Sequence, residues 1–264
     1  MLPLAQADLS KVRAVFTDVD GTLTSKGLLK SSTLRAIEWL TAHRVEVVLV
    51  SGRPSGWGEC WARQLPVAGV IVENGALAYV RRRGRLHKVY AEGPQVRRSN
   101  RASLTRHVQA ALKAVPGARL SMDSVATEVD LAIDYAEQST LGSRGADRLE
   151  AFLHRRGVTA VRSSVHVNCW LGPFDKRTAV ESFLRREWKT TLQKNERRFV
   201  YVGDSFNDQP LFRAFPLSIG VANVKDVELE HPPKFVTRAA EGKGFGEVAD
   251  AIARVRRTHQ RPNP

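Results

Sequence analysis

Apolar residues come in short blocks over the first eighty positions and again over the last hundred. Within these blocks the chain alternates between continuous apolar runs, as buried strands require, and the three-to-four spacing of a helix face. Residues 12–18 read as a buried strand that closes on a turn at Gly21. Leu34, Ile37 and Leu40 predict a helix through Arg44, with Ser31 or Ser32 as its N-cap. Residues 45–50 predict a second buried strand, 54–64 a second helix and 70–72 a short third strand. The pattern resumes after residue 170 with a helix from Lys176 that sets Val180, Phe183, Leu184 and Trp188 on one stripe. A strand at 199–202, a short helix at 207–214, a strand at 217–221 and a last helix marked by Phe245, Val248, Ala249, Ile252 and Val255 follow. The expected fold class is α/β, a doubly wound parallel sheet with helices on both faces.

The middle of the chain follows a different pattern. Segments 76–80 and 87–91 flank Arg81-Arg82-Arg83-Gly84-Arg85 and read as a hairpin. Leu104, Val108, Ala111, Leu112 and Val115 mark one amphipathic helix, and Leu149, Phe152 and Leu153 another. Beside them, Glu128, Asp130, Ala132 and Asp134 alternate with Val129, Leu131, Ile133 and Tyr135. A second strand sets Arg162, Ser164, His166 and Asn168 on its polar side. Strict alternation means one buried and one wet face. Residues 81–168 are therefore expected to be an inserted α+β module on a core made of residues 1–80 and 169–264. With helices covering its apolar face, the module's polar face is free to look toward a ligand site, which makes Asp130, Asp134 and His166 candidate substrate contacts.

Bulk composition narrows the class. A chain of 264 residues suffices for one large domain or two modest ones. The formal charge of +14 is uneven: residues 81–168 hold 16 Lys/Arg against 8 Asp/Glu, and the rest hold 25 against 19. No aromatic-rich RNA-binding pattern or DNA-reading helix accompanies that charge, which argues against a nucleic-acid partner and for a solvated basic surface or attraction of anionic substrates. No stretch has the length of a membrane span, and the start shows no leader pattern. Cys60 and Cys169 are too few for a disulfide framework, so reduced core thiols and a cytoplasmic protein are expected. Monomer and dimer both remain open.

Four short segments carry the chemistry. Asp18-Val19-Asp20-Gly21-Thr22 puts two carboxylates at a strand end, where one can attack a phosphorus atom and the other can move a proton. Ser51-Gly52-Arg53 follows the second strand and opens a helix, offering a hydroxyl and free N–H groups to a phosphate. Lys176 begins a helix, where the macrodipole favours anions, and so implies an anion to be neutralised. Gly203-Asp204-Ser205-Phe206-Asn207-Asp208 sets two hard carboxylates four residues apart, which suits Mg²⁺. In open α/β sheets this carboxyl edge is where ligands bind.

In this order the four segments resemble those of the haloacid-dehalogenase superfamily of phosphatases. The insertion between Ser51 and Lys176 resembles the cap of its type IIB, sugar-phosphate branch, and Val72-Glu73-Asn74-Gly75-Ala76 resembles the turn before that cap. The resemblance implies that Asp18 is the nucleophile, Asp20 the general acid and base, Ser51 a phosphate-binding hydroxyl and Lys176 the charge neutraliser. It implies Mg²⁺ held by Asp18, the carbonyl of Asp20, Asp204 and Asp208. Gly52, Arg53, Asn74 and Asn207 are the further substrate-binding candidates. The expected reaction is hydrolysis of a small phosphorylated metabolite, a sugar phosphate in this branch. A phosphomutase on the same core is the alternative, and a basic scaffold with a vestigial site the alternative from another class.

Overall fold

The computed structural model describes residues 1–163 and 165–259. Ser164, expected on the polar face of the insertion, lies outside them. From the N-terminus an edge strand β1 (Leu2–Pro3) precedes the central β2 (Ala14–Thr17), and β3 (Thr24–Ser25) with β4 (Leu28–Leu29) forms a small hairpin. Then come α1 (Ser31–Ala42), β5 (Glu46–Val50), α2 (Ser55–Gln64) and β6 (Gly69–Val72), followed by a hairpin of β7 (Leu77–Arg82) and β8 (Arg85–Tyr90). The insertion comprises α3 (Pro94–Ala114), β9 (Arg119–Leu120), β10 (Leu131–Asp134), α4 (Gly142–His154), β11 (Thr159–Arg162) and β12 (His166–Trp170). The chain returns through α5 (Lys176–Glu187), β13 (Phe199–Gly203), α6 (Gln209–Ala214), β14 (Leu217–Gly220), β15 (Phe235–Val236) and α7 (Glu241–His259).

The large sheet has the order β1-β15-β14-β13-β2-β5-β6-β7-β8. It is parallel from β1 to β6, and only the hairpin strands run antiparallel. Successive β2 side chains serve opposite faces. Val15 joins Ile37 and Leu40 of α1 and Phe245, Val248 and Ile252 of α7 on one face. Phe16 joins Val180, Phe183 and Leu184 of α5 and Leu211 of α6 on the other. The start of α1 is not capped as expected: Lys30 is the N-cap and no side chain caps the end.

The hairpin corrects the expected division of the chain. β8 completes the nine-stranded sheet through a six-pair register with β7, and Leu86, Val89 and Tyr90 pack on the core clusters. The insertion therefore begins after residue 90 rather than at 81. Its own antiparallel sheet, ordered β11-β12-β10-β9, packs Leu131, Ile133, Val167 and Cys169 against Leu104 and Val108 of α3 and Leu149 and Leu153 of α4. Two of its expected positions differ. Glu128 and Asp130 precede the strand instead of lying in it. Arg162 faces the helices, paired with Asp147 and Glu150 of α4, because it lies opposite Val167 in the register and shares that residue's face. Among the described residues no helix is long and apolar enough to cross a membrane. Cys169 is a buried thiol as expected, whereas Cys60 is exposed on α2.

Candidate active site

β2, β5 and β13 are neighbours in the sheet, and the loops leaving their carboxyl ends meet the first turn of α5. The Asp18 N–H donates to the carbonyl of Val202 at 2.9 Å, which ties the first loop to β13. Gly21 turns the chain with φ +76°, and a Cβ there would come within 2.4 Å of Asp204 Oδ2, so glycine allows that approach. Asp175 caps α5 through a reciprocal box with Thr178 and so fixes Lys176 at the helix's first position.

Lys176 is only 2 % exposed and reaches two carboxylates, Asp18 Oδ1 and Asp208 Oδ1, each at 2.7 Å. Asp208 is saturated: the Tyr201 hydroxyl donates to the same oxygen, and the N–H groups of Asp204 and Ser205 donate to Oδ2 at 2.9 and 3.1 Å. Asp204 accepts from the Thr22 hydroxyl at 3.0 Å and from Asn223 Nδ2 at 2.8 Å. Oxygens of Asp18, Asp204 and Asp208 lie within 4.8 Å of one another, and all three residues are buried. Burial, reinforced by Asp208 and Asp204 and opposed by Lys176, holds the Asp18 carboxyl well above the usual carboxylate range. Burial and then Asp208 push Asp204 up to about 7. For Lys176, burial alone would favour the neutral amine, but Asp18 and Asp208 outweigh it and keep the ammonium. One cation thus faces three carboxylates, and a set of hard oxygens with surplus negative charge is what a divalent cation such as Mg²⁺ requires.

The opposite wall comes from the loop after β5. The Ser51 hydroxyl accepts from the N–H of Arg53 at 3.0 Å. A Cβ on Gly52 would lie 3.0 Å from Asn74 Oδ1, so this loop and the turn at residues 73–75 are in close contact. Arg53 binds both oxygens of Asp20, through Nε and Nη2 at 3.0 Å each, and reaches Asp123 and Glu137 of the insertion. Asp18, Asp20, Ser51, Gly52, Arg53 and Asn207 line a cavity of about 30 Å³ that His166 and Asn168 close from above.

The remaining expected contacts are placed elsewhere. Asn74 donates through Nδ2 to Asp130 at 3.1 Å, joining core to insertion beside the cavity. Asp134 accepts from the N–H groups of Ala136, Glu137 and Gln138, so its oxygens shape a turn. Trp57 contacts the insertion by donating through Nε1 to Asp123 at 3.1 Å. Three partners were not singled out from sequence. Tyr201 and Asn223 hold the acidic cluster, and Glu73 accepts from the N–H groups of Ser55, Glu128, Val129 and Asp130. Glu73 and Asn74 both take left-handed backbone, at φ 49° and 54°.

A family model for haloacid dehalogenase-like hydrolases matches residues 15–113. A phosphoglycolate phosphatase of Archaeoglobus fulgidus is 24 % identical over 249 residues, covering 93 % of this chain and 99 % of that protein. A crystal structure from Thermoplasma acidophilum superposes with a TM-score of 0.72 at 19 % identity, over 92 % of this chain and 98 % of the other. The C-terminal domain of C. albicans trehalose-6-phosphate phosphatase gives 0.69 at 15 % identity, over 92 % of each chain. The matched segment begins at β2 and takes in the loops that carry Asp18, Asp20 and Ser51, and over it the chain resembles the haloacid dehalogenase-like hydrolases.

Proposed function

We propose that the protein is a Mg²⁺-dependent phosphatase that hydrolyses a small phosphorylated metabolite through an aspartyl-phosphate on Asp18. The observation that carries this reading is the contact of Lys176 with both Asp18 and Asp208 at the carboxyl edge of the sheet, opposite Ser51 and Asp20. In the first half-reaction an oxygen of Asp18 attacks phosphorus, the bond to the alcohol oxygen breaks, and Asp20 gives its proton to that oxygen. In the second, water attacks the same phosphorus and passes a proton to Asp20. The bond to Asp18 then breaks, inorganic phosphate leaves and the carboxylate is restored. Ser51, the Gly52 N–H and Asn207 receive the phosphoryl oxygens, and Lys176 offsets their charge, since phosphoryl transfer is mostly positioning and neutralisation. Asp18, the Asp20 carbonyl and Asp204 would hold Mg²⁺, which when bound supplies further neutralisation; Asp208, its oxygens taken, acts through Lys176.

The two unpaired thiols agree with a cytoplasmic setting. A sugar phosphate, as expected from the sequence, has the support of the C. albicans neighbour's name, and phosphoglycolate that of the archaeal relative's. Phosphate release from small monoesters with Mg²⁺ tests the proposal. Asp18→Asn is expected to abolish release and the phosphoryl mass increment of trapped wild-type protein, and excess chelator to stop turnover. Full activity in either condition overturns the mechanism, and return of phosphate to substrate instead of water identifies a mutase.

A further inference from the structure

The carboxylate of Glu137 projects from the insertion into the cavity region, where two groups grip it. Arg53 Nη2 donates to Oε1 at 3.0 Å, and His166 Nε2 lies 2.9 Å from Oε2. An ionised carboxylate only accepts, so the imidazole donates. Arg53 and His166 both line the cavity beside Asp18 and Asp20, on the side where the leaving alcohol must lie. They therefore form a two-armed receptor for a carboxylate, and in the free protein a side chain of the protein fills it.

Position says what would replace Glu137. The guanidinium that reaches Glu137 also binds both oxygens of Asp20, the group placed to protonate the bridging ester oxygen. In a phosphorylated 2-hydroxy acid the carboxyl carbon is two bonds from that oxygen, so one Arg53 side chain spans both positions. Glu137 itself is 34 % exposed, so solvent borders the side chain that would have to leave.

We infer that Arg53 and His166 bind the carboxylate of a phosphorylated 2-hydroxy acid, and that Glu137 occupies their site until the substrate displaces it. This rests on the phosphatase reading above and narrows its substrate. Recognition by arginine plus a second donor selects a planar anion over a hydroxyl, because a neutral ester offers no carboxylate to take the place of Glu137 on the two donors.

The test compares kcat/KM for 2-phosphoglycolate and for neutral 2-hydroxyethyl phosphate, using the full chain with Mg²⁺. Wild type is expected to prefer the acid roughly tenfold to a hundredfold, the worth of a charge-assisted bond. His166→Ala should cut that ratio by about tenfold. Glu137→Gln should lower KM for the acid more than for the neutral ester, since it weakens an internal competitor. Glycolate should compete better against Glu137→Gln than against wild type. Equal rates on both esters in wild type, or an unchanged ratio in both variants, overturns the inference and leaves the phosphatase reading standing. Preference for glucose 6-phosphate over both also overturns it. Hydrolysis of no ester overturns the phosphatase reading and this inference together.

Discussion

Lys176 holds two buried carboxylates with a single ammonium, and three acids share the space around it. Removing one partner of a buried ion pair leaves uncompensated charge, which costs more than the pair itself contributes. Lys176→Met is therefore expected to lower unfolding free energy by about 3–5 kcal/mol at neutral pH without added divalent ion, read by urea titration, besides abolishing turnover. A loss below about 1 kcal/mol would show that the acids are already protonated there. The residues of this cluster were legible in the sequence because each stands next to a strand end or helix start that its neighbours announce. Glu73 was not, because its cap partners lie 55, 56 and 57 residues away and nothing local marks them.

Polar side chains join the insertion to the core beside the apolar packing of Val129, Val161 and Trp170. Glu128 accepts from Ser55 at the start of α2 and from Lys88 and Tyr90 on β8. Burial alone would raise its pKa, but Lys88, Ser55 and Tyr90 bring it down from 4.5 to about 2. A depressed carboxylate contributes stability above its unfolded pKa and loses it as pH falls through the folded one. The difference in Tm between wild type and Glu128→Gln should hold steady above about pH 5 and close between about pH 4.5 and 2. A constant difference across that window would place the stabilisation in packing rather than charge. In the core, β2, β5, β6, β13 and β14 could be read from their apolar runs, since each is almost wholly buried, whereas the two-residue β1 and β15 are too short to leave a pattern. In the insertion the alternation of β10 was readable, but the polar side of β11 was not. Arg162 shares the face of the apolar Val167 across the ladder, a register set by pairing rather than by composition.

At the scale of the whole molecule, the cut between core and insertion was misplaced by one strand. The hairpin from residue 81 reads as the first part of the insertion, yet β8 is the edge of the main sheet and its apolar side chains pack on both core faces. The only buried lysine or arginine among the described residues is Lys176, whereas the buried acids form two groups, Asp18, Asp204 and Asp208 around that lysine and Glu73, Asp130 and Asp134 at or in the insertion. The turn after β6 links the two bodies: a single Glu73 carboxylate receives one N–H from the start of α2 and three consecutive N–H groups from the chain entering β10. Protection against hydrogen exchange at these four amides depends on one shared acceptor. Ser55, Glu128, Val129 and Asp130 should therefore exchange with a common opening free energy, and Glu73→Gln should lower it for all four together. Separate rates for Ser55 and the other three would mean that the insertion swings away while α2 keeps its grip on the carboxylate. The exchange pattern would then report which side of the joint opens.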